Sequence, residues 1–391
     1  MKVLHVTDDL GLLGGVQRYL DELQNVLRTR GVDSRIWAPK PGPLDGVVSR
    51  WFGGRHRAEL RELVRCQRPD LVHAHNLWMR LSPAPLEAAK RAGIPVLVTA
   101  HDYSWICPRK WMITGRDLPC ELGFGSRCAL SGCRGSHEGG VWLPYNSLRW
   151  LKTALHRAMA RRWVDRFISP SRHLAGWLER SLGVRDVTHV PNFAVAPRGG
   201  SATPVVNPKT LLFAGRLSRE KGLDVLLRAM PEIVAHHPTT RLVVAGDGPE
   251  RATLERMVDE LECGAAVRFA GALAPSDLER LYAGAGLVVL PTLWMENCPV
   301  SVLEAFANGR AVAASRVGGV PELVEDGVNG ILFERADHRD LAARLTAVMG
   351  APDVIATMGG RAAHRWAESY TPEIHGRRLR AVYDELTARA N

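Results

Sequence analysis

Glu296 and Glu304, in the stretch MENCPVSVLEAFANG, are separated by seven residues that include Pro299. Two carboxylates at this spacing could accept hydrogen bonds from the hydroxyls of a bound molecule, or stabilise positive charge that develops beside them. Their setting decides whether that chemistry is reasonable. Upstream, the apolar run Leu287 to Leu290 has strand length and is ended by Pro291. Downstream, Pro299 suits the first turn of a helix, where its missing N–H is no loss, with Asn297 or Cys298 near the cap. Glu296 is thus expected in the loop after a strand, and Glu304 in the second turn of the next helix. That edge of an open α/β sheet, at the carboxyl ends of its strands, is where ligands bind. The competing structural reading makes Glu296 a capping charge and Glu304 a solvated helix residue.

Other residues recur at equivalent places. In AGRLSREKGLDVLL, Arg216 follows a strand end and Lys221 stands five residues on, just before a helix. Cations are a poor choice for stabilising a helix amino terminus, which favours anions, but a good one for clamping a diphosphate there. Gly14 and Gly15, in TDDLGLLGGVQRYL, follow the first strand and open a helix. They would let a phosphate approach backbone N–H groups, although without a GxGxxG pattern a flexible turn is the better explanation of the pair taken alone. His101 and Asp102 follow the strand Val96 to Thr99, and Asn76 follows the strand before it. Each could as well be a structural hydrogen-bonder. Gly318, Gly319 and Pro321 mark a turn into a short helix, with Glu322 near its cap. No Asp-x-Asp occurs in the chain, which argues against a divalent metal held between two aspartates and a diphosphate.

The elements that must position these residues alternate along the chain. Strand-like runs fall at 3–7, 34–38, 71–74, 96–99, 166–169 and 187–190, then at 211–214, 242–245, 267–270, 287–290, 311–314 and 331–333. Amphipathic segments lie between most of them, so each half should be a doubly wound parallel sheet. A length of 391 residues also favours two domains. The expected organisation is a first Rossmann-like domain over 1–194, a Pro/Gly/Ser-rich linker over 195–208, a second domain over 209–370, and a closing helix over 371–391 that packs back on the first domain. The two domains are expected to face each other across a cleft.

Composition narrows the class. Hydrophobic residues make up 46% and charged residues 24%, as in a soluble globular protein. No apolar run approaches the ~18 residues needed to span a bilayer. The opening MKVLHVTDD reads as a strand instead of a secretory signal, so a cytoplasmic location is expected. Residues 1–196 carry 29 Lys and Arg against 17 Asp and Glu, whereas the remainder carries 22 against 24. The basic surface therefore belongs to the first domain. No helix-turn-helix, zinc-finger or stacking-platform pattern accompanies it, so nucleic acid is not the expected partner. An anionic substrate or peripheral contact with an acidic membrane suits it better. Residues 139–164 hold no acid, and Leu148, Leu151, Leu155, Met159 and Trp163 form what reads as a core-facing stripe at helical spacing. Four of the seven cysteines, Cys107, Cys120, Cys128 and Cys133, crowd an insertion over 103–145. Such clustering reads as structural zinc before disulfide in a cytosolic protein, although the spacing lacks a CxxC knuckle and reduced packing cysteines are the alternative.

Taken together, the GGVQRYL loop, His101, GRLSREKG, VVAGDGPER, the Glu-x7-Glu stretch and GGVPELVEDGVNG give a chain that resembles the family-4 retaining glycosyltransferases of GT-B fold along nearly its whole length. The resemblance implies that Glu304 takes the ribose hydroxyls of a nucleotide and Glu296 the hydroxyls of the donor sugar. Pro299 and Val300 would bring backbone N–H groups to the distal phosphate, Arg216 and Lys221 would hold the diphosphate, and Gly14 and Gly15 would close over it. Leu273 would contact the base through its backbone, and His101 would bind the sugar or stabilise charge at the anomeric carbon. Asn76, at its strand end, joins the residues expected to bind substrate. The implied activity is transfer of a hexose-type sugar, with retention and without a catalytic cofactor, from a nucleoside-diphosphate sugar to a small-molecule or lipid-linked acceptor. A nucleotide-sugar epimerase of the same fold, and a catalytically silent sugar-nucleotide-binding subunit, are the alternatives.

Overall fold

The computed structural model describes residues 1–8, 15–39, 51–78, 81–114, 119–130, 143–197 and 207–390. The chain divides into two compact units, the first formed by Met1–Pro191 together with Pro372–Asn391, the second by Asn192–Thr371.

In the first unit six strands, β1 (Lys2–Thr7), β2 (Asp33–Trp37), β3 (Leu71–His75), β4 (Val96–Thr99), β5 (Arg166–Ser169) and β6 (Val187–His189), form one sheet in the order β2-β1-β3-β4-β5-β6. Every neighbouring pair is parallel. Three helices matter below: α1 (Gly15–Arg28), α2 (Leu143–Trp163) and, later in the chain, the closing helix Pro372–Ala390. The chain leaves β1 toward β2 on one side and then returns to build β3 to β6 on the other, so the strand order reverses between β1 and β3. Crevices at such reversals are where α/β sheets bind ligands.

The second unit repeats the plan with β7 (Thr210–Ala214), β8 (Arg241–Ala245), β9 (Val267–Gly271), β10 (Leu287–Leu290), β11 (Ala311–Ser315) and β12 (Gly330–Phe333), in the order β12-β11-β10-β7-β8-β9. Here the reversal lies between β7 and β10, which pair in parallel at Leu287 with Leu211 and Val288 with Leu212. The near-continuous apolar composition of these strands follows from burial on both faces. Leu211, Phe213, Val244, Val289, Ala313 and Phe333 belong to one core, and their alternating neighbours Leu212, Ala245, Val288, Val312, Ala314 and Leu332 to another. Two helices position the site of this unit, α3 (Leu223–His236) after β7 and α4 (Val300–Ala307) after β10. The closing helix, Pro372–Ala390, is α5 and belongs to the first unit. There Tyr383 hydroxyl meets His73 Nδ1 at 2.7 Å, and Arg380 donates to the carbonyl of Arg30 at 2.9 Å.

One expectation is corrected. The stripe on α2 does not face the core along its length, for Leu148 is 52% and Leu151 42% exposed. The buried face carries Asn146, Thr153, His156, Arg157 and Ala160 instead. Two members of this polar face are bonded to backbone: Arg157 donates to the carbonyl of Trp105 at 2.7 Å and to that of Ser181, and Thr153 donates to the carbonyl of Arg149 at 2.8 Å. Part of the cysteine-rich insertion is described. Cys107 is buried, Cys120 and Cys128 are half-buried, and all three are free thiols; Cys133 lies outside the described residues. Burial raises the Cys107 thiol, and the nearby Cys120 and Cys128 act in the same direction.

Candidate active site

The reversal between β7 and β10 brings two distant sequence motifs into contact. Lys221 ends a short 3-10 turn, Arg219–Lys221, after β7, and Glu296 closes the loop after β10. Lys221 Nζ lies 2.7 Å from Glu296 Oε1, with side chains 23% and 10% exposed. The same carboxylate oxygen accepts from Trp294 Nε1 at 2.6 Å and from Thr292 Oγ1 at 3.4 Å, and Lys221 Nζ sits 4.6 Å from the centroid of the Trp294 ring. A charge this far from water must be paired and hydrogen-bonded, and here it is. The contact supplies a reason for Lys221 beside a helix start that sequence reasoning did not have.

The two loops are held by their backbones. Leu293 N–H donates to the carbonyl of Glu220 at 2.9 Å, and the single hydrogen of the Thr292 hydroxyl is shared between that carbonyl, at 3.2 Å, and Glu296 Oε1. Gly222 has φ of +67°, and a Cβ there would lie 2.0 Å from the Pro291 carbonyl oxygen. No other residue type could turn the chain into α3 at that distance. Gly318 does the same for the far side of the loop, where a Cβ would come 2.1 Å from the Glu296 carbonyl oxygen, and Gly319 N–H donates to that oxygen at 2.9 Å. The glycine pair therefore supports the backbone of Glu296, a role the sequence did not suggest.

Pro299 is the residue before α4, with φ −65° and ψ 121°, and Val300 is the first helical residue. No side chain caps this end, so N–H groups of the first turn are available to an anion. Glu304 lies in the second turn, and its Oε2 accepts from the Tyr282 hydroxyl at 3.0 Å. Tyr282 is buried, and the fully buried Arg310 grips the end of its helix by donating to the carbonyls of Tyr282 at 3.0 Å and Ala283 at 2.7 Å. Arg216 is exposed in the loop after β7 and has no side-chain partner among the described residues. Leu273 is half-buried in the loop after β9 and packs against the core beneath α4.

In the first unit, His101 and Asn76 sit at the ends of the adjacent strands β4 and β3. Asn76 has φ of +39°, a left-handed conformation uncommon outside glycine and characteristic of functional or over-determined positions. His101 Nε2 lies 3.0 Å from His75 Nδ1, and burial holds its ring down to about 4, with Asp102 pulling upward. His101 is therefore an uncharged hydrogen-bonding group near neutral pH. Gly15 begins α1; Gly14 lies outside the described residues. The side chains around these positions, Tyr19, His5, His73, His75 and His375, escaped sequence reasoning. Only the alternation in LVHAH, which places His73 and His75 on one face of β3, hinted at them.

Comparisons with known proteins bear on the family and the fold. A family model described as Glycosyltransferase Family 4 matches residues 13–194, and one described as Glycosyl transferases group 1 matches residues 201–365. An uncharacterized glycosyltransferase of Methanocaldococcus jannaschii is 41% identical over 123 residues, covering 32% of this chain, and the match spans 31% of that protein's length. The GDP-mannose-dependent alpha-(1-6)-phosphatidylinositol monomannoside mannosyltransferase of Mycolicibacterium smegmatis is 32% identical over 385 residues, covering 94% of both chains. The solved structure of Anabaena HepE in complex with UDP-glucose aligns with a TM-score of 0.70 at 18% identity, covering 98% of this chain and 100% of that one. With two such sheets and a match along nearly the whole of a full-length relative, the chain belongs to glycosyltransferase family 4 and has the GT-B fold.

Proposed function

We propose that this protein is a retaining, metal-independent hexosyltransferase acting in the cytoplasm, which moves a sugar from a nucleoside-diphosphate donor to a small-molecule or lipid-linked acceptor. The observation that carries the reading is the Lys221–Glu296 contact of 2.7 Å at the β7/β10 reversal, beside the uncapped start of α4. A cation, a carboxylate and free backbone N–H groups are what a diphosphate and its attached sugar require at one place. Arg216 and Lys221 neutralise the leaving diphosphate as charge grows on it, in a transition state of oxocarbenium character at the sugar. Glu296 binds sugar hydroxyls and stabilises that positive charge, Glu304 holds the ribose, Leu273 contacts the base, and Pro299 and Val300 meet the distal phosphate. Gly14, Gly15 and Asn76 contribute to donor binding from the first unit, and His101 hydrogen-bonds the sugar. The departing oxygen assists deprotonation of the acceptor, so no separate base is needed. Metal independence rests on the missing Asp-x-Asp.

The relative that names GDP-mannose and the neighbour bound to UDP-glucose set the donors to try. Incubation with both, without acceptor and with EDTA, should give slow donor hydrolysis. Appearance of a new nucleotide sugar would instead identify an epimerase, binding without turnover a silent subunit, and activity lost on EDTA and restored by magnesium a metal-dependent enzyme. A lipid-linked acceptor is favoured by the exposed Leu148 and Leu151 on the acid-free helix α2, within the basic first unit. Co-flotation with vesicles containing anionic lipid, lost when both leucines are changed to serine, is the expected result.

A further inference from the structure

Asn192 is the first residue of the second unit, and its side chain reaches the loop between Glu296 and α4. Asn192 Nδ2 donates to the carbonyl of Cys298 at 2.8 Å, across 106 positions of sequence. A carbonyl has no hydrogen to give, so the amide must present its NH2 side there.

The Cys298 carbonyl needs this partner. It stands one residue before the cap of α4, and the first bond of the helix goes to Pro299 instead, whose carbonyl accepts from Val302 N–H at 3.2 Å. Cys298 is buried, and a buried carbonyl left unpaired is costly. Its side chain packs in one core with Val302, Leu303 and Phe306. Burial pushes the Cys298 thiol up to about 12, while a hydrogen bond from the Asn192 main chain to the sulfur acts the other way. The sulfur is therefore a packing group and not a nucleophile. Asn192 holds this residue at two points, with its main chain at the sulfur and its side chain at the carbonyl.

Asn192 is itself anchored within the second unit. Two residues on, Ala194 N–H donates to the Tyr370 carbonyl at 3.1 Å, and the Ala194 carbonyl accepts from Trp366 Nε1 at 3.0 Å. Phe193 between them is buried. The loop is also gripped one turn earlier, where Gly319 N–H donates to the Glu296 carbonyl at 2.9 Å. Backbone leading into α4 is thus fixed at Glu296 by one segment and at Cys298 by another, distant in sequence. What the two bonds aim is the start of the helix. Val302 N–H is engaged with Pro299, whereas the N–H groups of Val300 and Ser301 have no acceptor among the described residues. Two such groups at a helix start suit a phosphate, provided that the backbone before them does not shift.

We infer that Asn192 is a positioning residue for the donor: by holding the Cys298 carbonyl it sets the Val300 and Ser301 N–H groups to receive the distal phosphate of a nucleoside diphosphate. The inference rests on the donor site proposed above. Calorimetry on the full chain with UDP and UMP, and with GDP and GMP, tests it, because the monophosphates carry base and ribose but no distal phosphate. Asn192→Ala should weaken the preferred diphosphate roughly 10-fold, about the net value of one hydrogen bond, and change the matching monophosphate less than about 2-fold. Asn192→Asp keeps the shape but sets an acceptor against an acceptor at neutral pH, so it should lose at least as much. Hydrogen exchange in peptides from β7 and β10 reports whether each variant keeps the fold of the second unit. Equal weakening of diphosphate and monophosphate overturns the inference, as does wild-type affinity for both in either variant. A second unit that unfolds in both variants makes Asn192 a stabilising residue and also overturns it. Failure of the donor reading looks different: wild-type protein would bind neither diphosphate more tightly than its monophosphate, and the inference would fall with that reading.

Discussion

Acid should unfold the first unit well before the second, because its buried histidines cannot be protonated in place. Ordinary histidine titrates near 6.5, whereas burial holds His101 and His375 at about 4 and His5 at about 3. Depression of a base means that the unfolded chain binds protons the native unit refuses. Stability is then fully present above about 6.5 and is lost as pH falls from there toward 4. Lowering the pH from 7 to 5 should remove about 2 kcal/mol for each of these three side chains if they acted independently. Because the rings are neighbours, the sum of about 6 kcal/mol is an upper bound, but it is comparable with the 5–15 kcal/mol that holds an ordinary domain together. The Arg166 hydrogen bond lowers the Glu385 carboxyl, so that group keeps its charge further into acid. The second unit is an internal control, for none of its histidines, His236, His237, His338 and His364, is buried. Hydrogen exchange read by mass spectrometry at pH 7, 6 and 5, corrected for intrinsic exchange, should show protection falling in peptides from β1, β3 and β4 while β7 and β10 hold. Equal loss in both units, or none in either, would refute the reasoning that burial keeps these rings neutral.

Three further outcomes are expected. Lys221→Met should cut turnover about 10²-fold by removing transition-state charge stabilisation and cost roughly 1–3 kcal/mol by leaving Glu296 without its cation; a thermal melt and rate both close to wild type would contradict it. Glu304→Gln should raise donor KM with kcat little changed, and Glu296→Gln should lower kcat by ~10- to 10³-fold; calorimetry with free UDP or GDP should show weakened binding only in the first, and equal losses in both would show that the two glutamates do not divide the donor. Elemental analysis of reduced protein should find one zinc if the cysteines of the insertion hold a structural ion, and none if they are packing thiols.

The architecture was legible because its signals are local. All twelve strands fall within one residue of their expected ends, since short β-branched runs buried on both faces and bounded by Gly, Pro or polar residues have few other conformations. The two reversals of strand order were not legible. Nothing local to GRLSREKG or WMEN says that the chain visits β8 and β9 before laying β10 beside β7, yet that order alone joins Lys221 to Glu296 across 75 positions. The stripe on α2 misled for a related reason. Apolar spacing shows that a face exists but not what it meets, and the opposite face was preferred because Trp105 and Ser181 offer carbonyls to Arg157. Tyr282 and Arg310 were invisible as well, because their parts in holding Glu304 depend on a helix end meeting the next turn of sheet.

The pairing of Lys221 with Glu296 bears on how the site would serve its donor. Without ligand each charge satisfies the other, and Trp294 and Thr292 add hydrogen bonds to the carboxylate, so the loop keeps its shape with Lys221 and Glu296 paired. A diphosphate that takes over Lys221 must compensate for the bond it disturbs, and in doing so it frees one carboxylate lone pair for a sugar hydroxyl. Phosphate binding and sugar binding are then favourably coupled, because each relieves the partner the other displaces. A free diphosphate gains only the first half of this exchange and leaves Glu296 less well paired. The intact nucleotide sugar should therefore bind more tightly than the diphosphate by more than the sugar's own hydrogen bonds supply, and Glu296→Gln, which weakens the competition for Lys221, should narrow that difference.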